Sequence, residues 1–259
     1  MANTPPTETS SLLSRLEGAA AYHLTVSKRH DVSPSLVSIT LTGDLQGLVV
    51  SPGNDLMLAV PVVGGDGSFR RRYTIRRADV DSGEVELWID RTSGGPGATW
   101  AESAPIGSSI EAIGPRGKVT LDEMADWHLF LGDLSFLPAS YAMAEAIEPP
   151  GQALFIVEID QPGDAIVPSM DPRVTVTVGF IERDGRALND PAGLLAGLAA
   201  LEIPPEEGHV YVGGELTVVA ALKAALIERG LEKQAIDAKP YWRAGVANLA
   251  HGEPKKDDA

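Results

Sequence analysis

A change of patterning near residue 127 narrows the fold more than any other feature of the sequence. Before it, six short runs with strand character, at 22–28, 36–42, 55–60, 71–76, 84–90 and 109–113, are separated by turns rich in Gly, Pro, Asp and Ser. Short strands so spaced, without long helical patterns between them, predict an antiparallel barrel or sandwich. After it, apolar strand-like runs at 128–131, 153–159, 173–180 and 210–212 alternate with helical stretches at 138–147, 191–201 and 217–229, the last stopped by Gly230. That alternation predicts a parallel sheet with helical crossovers, an architecture suited to nucleotides. The expected organisation is a polar lead over 1–19, with Leu12, Leu13 and Leu16 on one face of a short helix. A β-rich domain follows over 20–122, an α/β domain over 123–247, and a charged, disordered tail over 248–259. The boundary is expected within 119–126.

Composition excludes several chemistries. The 259-residue chain has no cysteine, which removes disulfides, thiol nucleophiles, zinc–thiolate centres and protein-held iron–sulfur clusters. Redox work would have to use a bound organic cofactor. A formal charge of -15 disfavours nucleic acid as a partner. Against that background Arg70, Arg71, Arg72, Arg76 and Arg77 crowd one segment and are expected to focus field on an anionic ligand. No apolar run reaches the roughly 18 residues of a membrane span. The first ten residues carry no basic cluster followed by an apolar stretch, so the expectation is a cytoplasmic monomer.

Two elements carry the chemistry. In Arg71, Arg72, Tyr73 and Thr74 alternate residues face opposite sides of a strand, pairing 71 with 73 and 72 with 74 unless a bulge intervenes. A planar guanidinium suits a phosphate, an aromatic ring suits an isoalloxazine, and a hydroxyl can reach the atoms of a flavin ring. Alone, these four residues better describe an edge strand with Tyr packed on the barrel and Arg in solvent, since strands favour Tyr and Thr anyway. About twenty residues on, Gly94, Gly95, Pro96 and Gly97 form a turn from which Ala98, Thr99 and Trp100 start a helix. Small residues and free backbone amides there make a seat for a pyrophosphate. Together the two elements favour a bound flavin. In the second half, Gly132 and Asp133 follow one strand and Pro138 opens a helix, while Gly213, Gly214 and Glu215 follow another strand and precede the next. Both are positions for an anion at the carboxyl ends of parallel strands, although the GxGxxG fingerprint is absent. Glu158 and Asp160 argue against a nucleotide 2′-phosphate, whereas Arg183 and Arg186 could accept one. No nucleophile elbow, Walker loop or HExxH pair is present, and the five histidines have no metal spacing.

The order of these pieces resembles the siderophore-interacting proteins, FAD-dependent ferric-siderophore reductases similar in fold to ferredoxin reductases. The resemblance is carried by RRYTIRRAD at 71–79, GGPGATWAESAPIGSSIEAIGPRG at 94–117, LGDLSFLPA at 131–139, VYVGGE at 210–215 and YWRAG at 241–245. It implies an antiparallel six-stranded β-barrel that binds FAD noncovalently, followed by a parallel-sheet α/β nucleotide-binding domain. Arg71, Tyr73, Thr74, Arg91, Gly95, Pro96, Gly97, Ala98, Thr99 and Trp100 would contact FAD. NAD(P)H would dock at Gly132, Asp133, Pro138, Gly213, Gly214 and Glu215, or a ferredoxin would supply the electrons instead. Arg116, Lys118, Lys239 and Arg243 would receive the ferric siderophore, and electrons would pass through FAD to its Fe(III), releasing Fe(II), with no protein metal ligand and no catalytic side chain. The chain departs from the family's pattern in placing Arg91 where a histidine is common, in the bulky Leu134, Ser135 and Phe136, and in Ala244. Two other readings share these motifs: a flavin or ferredoxin reductase with another acceptor, and a non-catalytic flavin- or siderophore-binding protein.

Overall fold

A computed structural model describes residues 20–117 and 119–246. The expected N-terminal helix, Lys118 and the polar tail lie outside the described residues. Six antiparallel strands, β1 (Ala20–Asp31), β2 (Leu36–Gly43), β3 (Asp55–Pro61), β4 (Ser68–Asp79), β5 (Glu84–Asp90) and β6 (Ser109–Arg116), close a barrel in the order β1-β2-β5-β4-β3-β6. Closure leaves no free edge, which resolves the choice between barrel and sandwich. The interior is filled by alternate residues, among them Leu24, Val26, Ile39, Leu41, Leu56, Leu58, Val85 and Leu87. Between β5 and β6 lies the helix α1 (Pro96–Ser103), pinned to that core by Trp100 and Ala101.

The second sheet has five parallel strands in the order β11-β10-β7-β8-β9: β7 (Trp127–Asp133), β8 (Gly151–Ile159), β9 (Val174–Glu182), β10 (Gly208–Glu215) and β11 (Ile236–Trp242). Helices α2 (Leu137–Ala144), α3 (Ala192–Ala200) and α4 (Leu216–Glu228) supply three of its four connections. The sequence pattern misses β11 because Pro240 interrupts it and its side chains are only part-buried. An edge position tolerates both features. The connection from β8 to β9 holds a single 3₁₀ turn, Pro162–Asp164, rather than a helix. No described helix is long and apolar enough to cross a membrane.

Apolar packing runs across both sheets. Leu36 and Trp88 of the barrel share a cluster with Phe130, Tyr141, Met143 and Phe155. Beside it, the fully buried Asp164 accepts hydrogen bonds from Ser33 Oγ at 2.6 Å, Ser35 N at 2.9 Å and Ser35 Oγ at 2.7 Å, clasping the β8–β9 connection to the β1–β2 hairpin. An acid that collects several donors out of water is a strong local tie. Replacing Asp164 by Ala strands those donors and should cost roughly 3 kcal/mol. Urea unfolding of the variant measures it, and a midpoint equal to wild type would dismiss the clasp as a stabilising element.

At the opposite end of the parallel sheet His128 is buried in a stack with Phe130 and Tyr211, and its Nδ1 has no hydrogen-bond partner among the described residues. Burial, reinforced by nearby His209, pushes its pKa down to about 4. The unfolded chain takes up this proton near the ordinary value of about 6.5, whereas the folded chain resists it until about 4. Stability should therefore be intact above pH 6.5 and fall by up to about 3 kcal/mol as pH drops to 4. In His128→Phe that part of the slope should vanish in urea titrations at pH 7 and 4.5. Parallel losses in the two proteins would clear the ring of responsibility.

Candidate functional site

Strand β4 has two faces with different tasks. Its odd-numbered residues Arg71 and Tyr73 turn toward the start of α1. A Cβ built on Gly97 would stand 1.7 Å from the Tyr73 hydroxyl oxygen and 3.6 Å from Arg71 Cγ, so only glycine permits this approach. Gly94 takes a positive φ of 65°, Gly95 is the extended N-cap, and Pro96 sets the first helical φ. Among the described residues the cap makes no side-chain hydrogen bond, and apart from its chain neighbours nothing lies within 4 Å of where a Cβ on Gly94 or Gly95 would sit. Backbone amides at Gly97 and Ala98 and the positive end of the helix dipole are thus left beside the Arg71 stem, whose guanidinium donates from Nη1 to Arg70 O at 2.8 Å and lies 5.3 Å over the Phe69 ring. Burial raises the Tyr73 phenol and keeps it neutral; burial lowers Arg71 from its ordinary value, opposed by Tyr73. Thr99 is exposed and donates its hydroxyl to Gly95 O at 3.3 Å. Trp100 faces the barrel core at 2% exposure and holds the helix rather than lining the cleft. Arg91 pairs with Asp31 at the barrel rim. Next to it, burial pushes Asp90 up to about 7 against the hydrogen bonds from Thr92 N and Oγ1.

The even-numbered face meets the parallel sheet. Arg72 donates to Asp55 Oδ1 at 2.8 Å, and Lys239 of β11 donates to Asp55 Oδ2 at 3.0 Å. Thr74 shares a hydrogen bond with Tyr241. Arg76, thrown inward by a bulge between Ile75 and Arg77, forks Glu145 at the end of α2 and lies 4.7 Å over the Trp88 ring. Sequence reasoning pooled the five arginines as one field for an anion. Instead Arg72 and Arg76 are consumed in internal pairs, because the pleat points them at carboxylates. The buried Asp55 and the Tyr241 contact were missed; a lone acid opening an apolar strand was their only signal. Of the expected acceptor-binding residues, Arg116 stands opposite Asp55 in the β3–β6 ladder and Lys239 is bound to it. Arg243 is exposed just beyond β11.

At the switch point between β7 and β10 the expected nucleotide residues do converge. A Cβ on Gly132 would stand 2.1 Å from Gly213 O, and one on Gly213 would meet the Phe136 ring at 2.3 Å. Gly214 has a φ of 132° and backs onto Asp133. Pro138 is buried in the first turn of α2. Asp133 accepts from Ser135 N and Oγ, Glu215 N and Trp242 Nε1, and burial raises its pKa. Glu215 caps α4 through Thr217 N at 2.5 Å and Val218 N at 3.2 Å, and accepts from Ala244 N at 3.2 Å. In α3 the Asp190 carboxylate takes the Ala192 amide at 3.0 Å. Carboxylates of the chain itself thus occupy the starts of α3 and α4, whereas α1 in the barrel, like α2, has no side-chain cap. One strand further out, buried Glu158 is flanked by Arg183 Nη1 at 2.7 Å and Arg186 Nη2 at 2.9 Å, and Arg183 Nε reaches Asp160 at 2.8 Å.

A cofactor with a pyrophosphate and a flat ring fits the α1–β4 cradle, whose donors are a guanidinium and open amides and whose glycines leave the backbone bare. The protein-family comparison agrees. Residues 23–121 match the oxidoreductase FAD-binding domain, and residues 125–245 match the siderophore-interacting protein model. A ferric vibriobactin reductase of Vibrio cholerae is 30% identical over 249 residues, covering 86% of this chain and 90% of that protein. The crystal structure of a siderophore utilization protein from T. fusca superposes with a TM-score of 0.79 at 26% identity, over 90% of this chain and 96% of that one. A ferredoxin reductase of carbazole 1,9a-dioxygenase shares the fold, with a TM-score of 0.68 at 20% identity over 85% of this chain and 67% of that one. With an FAD-binding barrel, a five-stranded parallel sheet and these relatives, the chain belongs to the siderophore-interacting protein family of the FAD-binding ferredoxin reductase-like superfamily.

Proposed function

We propose that this protein is a ferric-siderophore reductase, taking electrons from a nicotinamide dinucleotide and delivering them to siderophore-bound Fe(III). The observation that carries the reading is the apposition of Arg71 and Tyr73 to the uncapped start of α1. Arg71 and the amides of Gly97 and Ala98 would hold the FAD pyrophosphate, while Tyr73 would flank the ring system and Thr74, turned to Tyr241 on the other face of β4, would reach it only through its backbone. Bound there, FAD supplies what no side chain of this chain offers, accepting an electron pair and passing electrons on one at a time. The protein's own contribution is placement and field. Arg71 neutralises the diphosphate charge, Tyr73 fixes the plane beside Gly97, and the barrel excludes water from one side. Arg72 and Lys239 both pair with the single carboxylate Asp55, and Arg116 stands opposite it in the β3–β6 ladder, leaving local positive charge in an acidic protein. With Lys118 and Arg243 they would draw in an anionic ferric chelate. Fe(II) has the lower charge and binds hard oxygen donors less firmly, so reduction itself favours release. The V. cholerae relative, named for reduction of ferric vibriobactin, supports the same reading.

The decisive experiment is anaerobic. Purified yellow protein should bleach with NADH, NADPH or reduced ferredoxin and regain colour on adding a ferric catecholate, hydroxamate or carboxylate chelate. Colourless protein that takes up no FAD would end the proposal, and bleached protein that no ferric chelate reoxidises would leave a flavin reductase with another acceptor. Arg71→Ala should weaken FAD retention about ten- to hundredfold. Gly97→Ala should act in the same direction by displacing Tyr73. Fluorescence titration with FAD checks both, and wild-type affinity in either variant would remove that residue from the cradle. Arg243→Ala should raise the KM for the ferric chelate roughly threefold or more, with the flavin content unchanged. Steady-state kinetics on the FAD-loaded variant decides; an unchanged KM would take Arg243 out of the acceptor site.

A further inference from the structure

Beyond the flavin cradle and the basic group around Asp55, the described residues contain one other buried charge network at a strand end where a nucleotide could lie. Asp133 ends β7 at the switch point, and Glu158 is its register partner at the end of β8. In a parallel sheet that binds dinucleotides, an acid at the end of the second strand, some 20 residues after the first, receives the adenosine ribose. An arginine in the same neighbourhood instead receives a 2′-phosphate. Here both kinds of residue are present, and they are bound to each other. Glu158 is nearly inaccessible, with Arg183 Nη1 at 2.7 Å from one oxygen and Arg186 Nη2 at 2.9 Å from the other. Arg183 is also largely buried and turns its Nε to Asp160 Oδ1 at 2.8 Å. Arg186 is further tied to Glu182 O at 2.9 Å. Two cations thus face two anions, and both guanidinium groups are already paired with carboxylates, although Arg183 Nη1 and Arg186 Nε make no hydrogen bond among the described residues. The second oxygen of Asp160 is buried and has no hydrogen-bond partner among the described residues, so a ligand would reach it only by displacing its surroundings. A ribose diol brings donors to such an acceptor, whereas a phosphate brings only more acceptors and two negative charges.

We propose that Glu158, by holding Arg183 and Arg186, makes this chain discriminate against a 2′-phosphate, so that NADH rather than NADPH is the preferred donor. The inference rests on the reading that a nicotinamide dinucleotide reduces the bound flavin. Glu158 and Asp160 act here on specificity and take no part in the chemical step.

The test uses the FAD-loaded full chain and two probes, ADP-ribose and its 2′-phosphate, titrated by calorimetry. ADP-ribose should bind at least tenfold more tightly. Glu158→Gln frees both arginines and should shrink that ratio below threefold through a gain for the 2′-phosphorylated probe. Since this change leaves buried Arg183 with less compensation, Asp160→Asn provides a milder variant at a more exposed position. It should move the ratio in the same direction by a smaller factor. Anaerobic reduction rates with NADH and NADPH should follow the two affinities. Equal or tighter binding of the 2′-phosphorylated probe to wild type would overturn the proposal and leave the reductase reading standing. So would an unchanged ratio in a variant that retains flavin and the wild-type near-UV spectrum. If neither probe binds while reduced ferredoxin bleaches the protein, the nicotinamide donor itself is refuted, and this proposal with it.

Discussion

The two-residue period of β4 is the constraint on which the rest of the molecule depends. One strand must present Arg71 and Tyr73 to α1 and, on its reverse, Arg72, Thr74 and Arg76 to the parallel sheet. A slip of one residue would exchange the two sets and lose both the cradle and the contact between sheets. The register is fixed on one side by the ladder to β3, with Asp55 opposite Thr74, and on the other by the bulge at Arg76. Asp55 then serves twice, as a ladder residue and as the anion that orients Arg72 and Lys239.

Acidic residues divide the labour between the two domains. In the parallel-sheet domain Asp133, Glu215 and Asp190 satisfy amides that a ligand would otherwise use. In the barrel the helix start is glycine and proline, with no side chain to fill it. A helix that caps itself is stable and electrostatically quiet, while one that does not is poised for an anion. The chain's acidic residues are thus spent at the starts of α3 and α4, while α1 begins on glycine and proline.

Much of this was legible in the sequence because it depends on short-range pattern. The barrel strands and the three crossover helices follow from periodicity and from Gly and Pro punctuation, and Gly97 stands out as part of a glycine-rich turn. What escaped depends on contacts between residues far apart in the chain. Arg76 reads as one more surface cation until Glu145 and Trp88 are brought to it, and Trp100 reads as a ligand contact until the barrel core claims its ring. The edge strand β11 was hidden by Pro240, whose missing amide hydrogen matters little at the sheet's border. Glu158, Asp160, Arg183 and Arg186 were each noticed, but their opposing tendencies could be weighed only once the strand ends showed them paired.

The uncapped start of α1 has a thermodynamic side. A helix start without a side-chain cap is a weak point of the barrel, and whatever settles there adds its binding energy to folding. By mass action a ligand at a hundredfold excess over its Kd contributes about 2.7 kcal/mol. That increment is comparable to what a single buried clasp supplies elsewhere in the chain. The lifetime of this protein in a cell would then track the supply of flavin, so that starvation for the cofactor thins the protein population as well as idling it.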